Sequence, residues 1–202
     1  MAAQNIGVDF DGVIADTNLM KSAWLKNHLG VNVPVWKANK TELTDELCNH
    51  FSPEQVQKLN EYLETFIYDG DYSINTPVVE GALNGLEMLA KKNGLYLVTA
   101  RCEQLLPSAI EYLNAIGALP NFQGIYSSGV VNDQFQRKPT KQELCGMLNL
   151  DGLIDDDPVN LEGLDGSAVK RVLFADNAPA LESKPEVLIA RNWKEIVDYF
   201  SR

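Results

Sequence analysis

Ile6-Gly7-Val8-Asp9-Phe10-Asp11-Gly12-Val13-Ile14-Ala15-Asp16 decides how the rest of the chain is read. Ile6 to Val8 form the end of a short apolar strand, and two carboxylates follow directly at its C-terminal end. Residues two apart on an extended segment point to the same side, so Asp9 and Asp11 converge while Phe10 turns away. Gly12 then permits a sharp turn. Two carboxylates that close repel each other unless a cation or a shared proton compensates. A bound Mg2+ is the economical compensation, because hard cations take carboxylate oxygens. Taken alone, the pattern is more simply a strand end and a solvated Asp-Gly turn; the remaining sequence shifts the balance.

Residues from Thr17 to about Thr76 carry a helical pattern. Leu19, Ser22, Ala23, Trp24, Leu25 and Leu29 suggest one amphipathic helix ending near Gly30, and Thr41 to Phe51 a second. Ser52-Pro53-Glu54-Gln55 is a helix start, with Ser as N-cap and Pro at the first helical position. Val56, Leu59, Tyr62, Leu63 and Phe66 extend that third helix along one apolar face. The block is expected as an all-helical lid inserted after the first strand.

Beyond it, short apolar strands alternate with helices. Strands are expected at Leu95–Val98, Gly124–Ser127, Gly152–Ile154, Arg171–Phe174 and Val187–Ala190. Helices are expected at Ala82–Lys92, with Leu83, Leu86, Leu89 and Ala90 inward, at Glu103–Ile116, and at Trp193–Phe200. Another helix opens near Lys138, where Thr140 and Glu143 form a capping box. The fold class is therefore α/β: a Rossmann-like, mostly parallel sheet with helices on both faces. Its expected division is a core of residues 1–16 and 77–202 with a helical subdomain of residues 17–76.

Composition limits the partners. The 202-residue chain is 45% hydrophobic, which suits one well-cored domain or a domain with an inserted subdomain. A formal net charge of -11 argues against a nucleic-acid polymer as partner. It leaves room for one small phosphorylated substrate, since a metal and a few cations reverse the field locally. Cys48, Cys102 and Cys145 match no disulfide framework and no paired zinc spacing, and are expected as buried reduced thiols in a cytoplasmic setting. Met1-Ala2-Ala3-Gln4-Asn5 lacks the basic region and apolar run of a secretory leader. No apolar stretch approaches the roughly 20 residues that span a bilayer, so no membrane partner is expected.

In open parallel sheets, ligands bind beyond the carboxyl ends of the strands. Asp9 and Asp11, Thr99, and Asp155 and Asp156 all fall at such ends, and Lys138 and Lys141 flank a helix start that follows another strand. Together they suit a phosphomonoester. Asp9 is a carboxylate nucleophile able to form an aspartyl-phosphate, and Asp11 can protonate the leaving oxygen and then activate water. Mg2+ on Asp9, the Asp11 carbonyl and Asp155 offsets the charge of an anion attacking an anion. Thr99 and a lysine bind the non-bridging oxygens.

The same residues carry a resemblance. Val8-Asp9-Phe10-Asp11-Gly12-Val13 resembles motif I of the haloacid dehalogenase (HAD) superfamily, and Val98-Thr99-Ala100-Arg101 resembles motif II. The Lys138–Lys141 region is similar to motif III, and Ile154-Asp155-Asp156-Asp157-Pro158 to motif IV. The helical block resembles the superfamily's C1-type cap. Asn192-Trp193-Lys194-Glu195-Ile196 is similar to the branch that holds 5'(3')-deoxyribonucleotidases and nucleotidase-like proteins. The resemblance implies Mg2+ as cofactor and phosphoryl transfer through Asp9. It also implies substrate binding by Thr99, Ala100, Arg101 and Lys138, and metal ligation at Asp155 with Asp156 as an outer or second ligand. Asp11 and the acidic motif IV point to phosphatase rather than dehalogenase chemistry.

Alternatives remain at several positions. The motif III lysine is Lys138, by its Lys-Pro pairing, or Lys141, at the helix start, with a slight lean to Lys138. Arg101 binds substrate or pairs with a surface acid, and Asp16 tunes the site or caps the following helix. Trp24, Trp36, Tyr62, Phe66 and Tyr68 stack on a nucleobase, serve a homodimer surface, or form core. As a whole the chain is expected to be a phosphatase for a small phosphomonoester, with a nucleoside monophosphate in first place. The alternatives are a phosphomutase or phosphotransferase using Asp9, and a non-catalytic sensor of a phosphorylated ligand.

Overall fold

A computed structural model describes residues 3–68, 70–129, 138–179 and 186–201. Its six strands are β1 (Asn5–Val8), β2 (Gly94–Thr99), β3 (Phe122–Ser127), β4 (Gly152–Asp155), β5 (Lys170–Phe174) and β6 (Val187–Ala190). They form one parallel sheet in the order β3-β2-β1-β4-β5-β6. From β1 the chain first builds outward through β2 and β3, then returns to the other side of β1 for β4, β5 and β6. The order reverses at β1, and the crevice beyond the carboxyl ends of β1 and β4 is where such a sheet accepts a ligand. All six expected strands are present at their expected places.

Both faces of the sheet are covered. Ile6, Val8, Leu95, Leu97, Ile154 and Val172 pack on one side with Leu86 and Leu89 of α5 (Ala82–Ala90), Tyr112 and Leu113 of α6 (Leu106–Ala115), and Trp193, Ile196 and Phe200 of α9 (Trp193–Phe200). Val98 and Leu153 pack on the other side with Leu144 and Cys145 of α7 (Lys141–Met147) and Leu161 of α8 (Pro158–Glu162). This is period-two alternation along buried strands. On α5 the inward positions are 82, 85, 86 and 89. Leu83, expected inward, lies one step around the helix and is 39% exposed. α6 starts at Leu106 rather than Glu103, with Pro107 in its first turn, where a missing N–H costs nothing.

Between β1 and α5 lie α1 (Thr17–Leu29), a 3-10 turn (Val35–Lys37), α2 (Lys40–Cys48), α3 (Pro53–Tyr68) and α4 (Gly70–Asn75). These helices have their own apolar cluster, built on Leu25, Val31, Val33, Leu43, Leu47, Val56 and Leu63. α4 is too short to show a hydrophobic period and is not legible in the sequence. The two connections to the sheet run side by side: Asp16 N donates to the Pro77 carbonyl and Val79 N to the Ile14 carbonyl.

α1 departs from expectation in a way that matters. Leu19 and Leu29 are exposed, while Thr17, Asn18 and Lys21 are buried with Leu25. Part of its inner face meets the carboxylates at the sheet rather than oil, so polar side chains occupy positions where periodicity alone asks for apolar ones. The cysteines also differ from expectation: Cys145 is buried, but Cys48 and Cys102 are exposed, and all three are free thiols. Among the described residues, no helix is long and apolar enough to cross a membrane.

Candidate active site

The loop after β1 is closed tightly on itself. Ile14 N and Ala15 N both donate to the Phe10 carbonyl, and Gly12 N donates to the Ala15 carbonyl. Gly12 has φ +77°, and a Cβ there would run into the Asp156 carboxylate and the Asn18 amide. The turn therefore requires glycine twice over, for its backbone and for the close approach. Trp193, fully buried in α9, donates its indole N–H to the Val13 carbonyl at 3.0 Å and braces the loop from below.

Asp9, Asp155 and Asp156 converge, with one carboxylate oxygen of each within 4.8 Å of the others. All three are buried. The Lys141 ammonium stands 2.7 Å from both Asp9 Oδ2 and Asp155 Oδ2. Its place follows from local sequence: Thr140 caps α7, with the reciprocal Glu143 bond present, so Lys141 is the first residue of the helix. Asp9 Oδ1 accepts the Phe10 N–H at 2.7 Å, and Asp155 Oδ1 accepts from Asp157 N and Asn160 Nδ2, each at 3.0 Å. Asp156 Oδ2 accepts from Asn18 Nδ2 at 2.6 Å. Lys21 donates to Asn18 Oδ1 and to the Ala38 carbonyl, which brings a second buried cation near Asp156.

The charges are unbalanced. Burial raises the Asp9 carboxyl well above its ordinary range, Lys141 opposes this, and Asp155 and Asp156 add to it. Asp156 is pushed up to about 7 by burial and by Asp155, against the pull of Lys21. Burial alone would lower the Lys141 ammonium, but Asp155 and Asp9 prevail and hold it raised. A buried set of carboxylate oxygens carrying surplus negative charge is the donor chemistry of a hard divalent cation such as Mg2+.

The metal-free protein should therefore lose stability as pH rises from acid toward neutrality. A carboxyl whose folded pKa lies above its unfolded value of 3.8 keeps a proton that the unfolded chain releases. Stability is lost as pH rises from about 4 through about 7. Thermal melts in chelator should show Tm falling across this window by about 5 °C or more. The fall should be smaller in Asp156→Asn; equal slopes in both proteins would contradict the assignment.

The remaining expected residues fall into two groups. Thr99 ends β2 fully buried, its Oγ1 accepting the Arg101 N–H at 3.1 Å. Ala100, Arg101 and Asp11 line the same cavity as Asp9, Lys141 and Asp156. Lys138 stands apart from the carboxylates: its ammonium bonds Ser127 Oγ at 3.0 Å and lies 3.7 Å from Glu103. Of the two lysines weighed, Lys141 is the one that reaches Asp9. Arg101 pairs neither with a surface acid nor with open solvent. It is 2% exposed and holds the Asp11 carboxylate through two bonds of 2.9 and 2.8 Å. Asp16 caps α1, accepting from Leu19 N at 3.0 Å, and Asp157 caps α8, accepting from Val159 N.

A cavity of about 820 Å3 opens between this cluster and part of the helical block. Lys40, Thr41, Asn60, Glu61, Glu64 and Tyr68 form much of its outer wall. Trp24, Tyr62 and Phe66 pack on one another instead, with ring centroids 5.2 to 6.4 Å apart. Of the five aromatics singled out in the sequence, Tyr68 lines the cavity. Asn18, Lys21 and Asn160 join the site without having been singled out. For Asn160 a signal existed: it lies five residues beyond Asp155 on the helix that Asp157 caps.

No protein-family model matches the chain, and no curated protein matches it significantly. Solved structures do resemble it. A haloacid dehalogenase-like hydrolase from Streptococcus pneumoniae superposes with a TM-score of 0.66 at 17% identity, covering 98% of each chain. YfnB from Bacillus subtilis, assigned to the HAD hydrolases and solved bound to magnesium, gives 0.60 at 16% identity over the whole of both chains. A predicted phosphoglycolate phosphatase from Haemophilus somnus gives 0.58 at 17% identity, covering 98% of each chain. Each superposition spans nearly the full length of both chains, and this chain shares with these hydrolases the α/β fold described above.

Proposed function

We propose that the chain is a Mg2+-dependent phosphatase acting on a small phosphomonoester through an aspartyl-phosphate at Asp9. One observation carries this reading: a buried aspartate at the topological switch point lies 2.7 Å from a buried lysine and is joined by two further buried carboxylates. A sensor of phosphate needs no such nucleophile. The helical block of residues 17–76 acts as a C1-type cap over the core. The cavity beneath it, at about 820 Å3, suits a ligand of nucleotide size. A nucleoside monophosphate is the leading substrate class, in keeping with the Asn192-Trp193-Lys194-Glu195-Ile196 tail, and the setting is the reducing cytoplasm.

Asp9, Asp155 and Asp156, with the Asp11 carbonyl, would hold Mg2+, which would supply neutralisation of the phosphoryl charge. The chain's own groups do the rest. An Asp9 oxygen attacks phosphorus, the ester bond breaks, and the leaving oxygen takes a proton from Asp11. Lys141, already fixed by Asp155, meets the charge on the non-bridging oxygens as it shifts toward Asp9. Water then attacks the aspartyl-phosphate and gives its proton to Asp11, restoring both carboxyl groups.

The test is phosphate release from a panel of ribo- and deoxyribonucleotides, sugar phosphates and an aryl phosphate, with Mg2+ and with chelator. Release that needs Mg2+ and is fastest on nucleotides is the expected outcome. Preference for another class keeps the mechanism and replaces the substrate, and transfer to a sugar hydroxyl instead of water makes the enzyme a phosphotransferase. No release from any member by folded, Mg2+-loaded protein overturns the reading.

A further inference from the structure

Arg101 is built into the site more firmly than a substrate-binding arginine requires. Its guanidinium grips both oxygens of Asp11, the fork geometry that lysine cannot reproduce. Its guanidinium carbon lies 4.5 Å from the centre of the Phe10 ring and 4.6 Å from that of the Tyr68 ring. The remaining nitrogen, Nη1, donates to Ser108 Oγ at 3.1 Å and to Ser73 Oγ at 3.2 Å. Nε, Nη1 and Nη2 thus all bond to protein, and the residue is 2% exposed. Tyr68 ends α3 and Ser73 lies in α4, so the clamp reaches into the helical block, while Ser108 belongs to the core.

We propose that Arg101 is a positioning residue: it fixes the Asp11 carboxylate as the base for hydrolysis of the aspartyl-phosphate and ties that orientation to the helical block through Tyr68 and Ser73. This rests on the phosphatase reading above. In the step concerned, a water oxygen bonds to phosphorus, and the bond from phosphorus to the Asp9 oxygen breaks with its electron pair returning to Asp9. The water proton passes to Asp11. Nothing in this step requires Arg101 to touch the phosphoryl group. Its removal frees Asp11 to rotate and slows this half-reaction, while formation of the phosphoenzyme from an ester with a good leaving group proceeds.

Rapid mixing with p-nitrophenyl phosphate and Mg2+ tests this, since p-nitrophenolate leaves without a proton from Asp11. In Arg101→Gln and Arg101→Lys the expected result is a burst of one p-nitrophenolate per enzyme, followed by a steady rate lowered about 100-fold, with acid-quenched protein phosphorylated at Asp9. Arg101→Gln combined with Asp11→Asn should be no slower than Asp11→Asn alone, because the arginine acts through that carboxylate. Ser73→Ala, a milder change that leaves the fork intact, should show the same burst with a smaller loss. A fall in kcat/KM with no burst and no phosphoenzyme, or additive losses in the double variant, overturns the proposal while leaving the phosphatase reading intact. A wild-type protein that neither turns over nor becomes phosphorylated overturns both.

Discussion

Replacing Asp9 with asparagine removes turnover, by at least about 1,000-fold in kcat/KM on the best substrate of the panel, and leaves the protein folded. The two halves of that expectation come from the same geometry. In Asp9→Asn the amide keeps the side-chain volume and the bond from the Phe10 N–H but cannot attack phosphorus. The change also relieves the fold, since the Asp9 charge is disfavoured by burial and by Asp155 and Asp156, with Lys141 only partly compensating. The metal-free Tm of Asp9→Asn should therefore match or exceed that of the wild type, a separation of activity from stability usual at strained sites. Thermal melts and phosphate release on the same preparation check both halves. A Tm that collapses with activity would make Asp9 a structural residue.

Lys141→Met has the largest combined effect. Lys141 is the one side chain that bridges Asp9 and Asp155 from 2.7 Å among the described residues. Without it, three buried carboxylates face one another, and breaking a buried pair by removing one partner costs about 3–5 kcal/mol. The expected result is a drop in Tm of about 10 °C in chelator, partly recovered by Mg2+. Turnover should fall at least about 100-fold even when the metal is saturating. Lys138→Met is the internal comparison. That ammonium bonds a serine hydroxyl away from the carboxylates, and its loss should cost less than about tenfold. Equal losses in the two variants would contradict the catalytic role proposed for Lys141.

The parts legible in the sequence are those set by local chemistry. Each strand is a short apolar run, and an acid or hydroxyl at the ends of β1, β2 and β4 marks the rim, so the sheet and the convergence of Asp9 with Asp155 follow from pattern alone. The Thr140–Glu143 capping box likewise places the start of α7 and with it Lys141. The Lys138-Pro139 pairing points the other way, because a two-residue pattern carries no information about which ammonium reaches the carboxylates. What stays hidden depends on partners far away in the chain. Asn18 meets Asp156 across 138 positions, and Arg101 meets Asp11 across 90. The hydrophobic pattern of α1 misleads for a related reason: it assumes that a helix buries its apolar side, whereas Asn18 and Lys21 are buried here beside charge.

The proposed mechanism carries phosphorus on Asp9. Its most direct test is to mix the Mg2+-loaded protein with excess phosphomonoester, quench in acid within the first turnover, and map the modified residue by mass spectrometry. The predicted result is one phosphoryl group on the peptide containing Asp9, removed by hydroxylamine as an acyl phosphate and absent in Asp9→Asn. Phosphate release that continues in Asp9→Asn, or a phosphoryl group on any other residue, would contradict it.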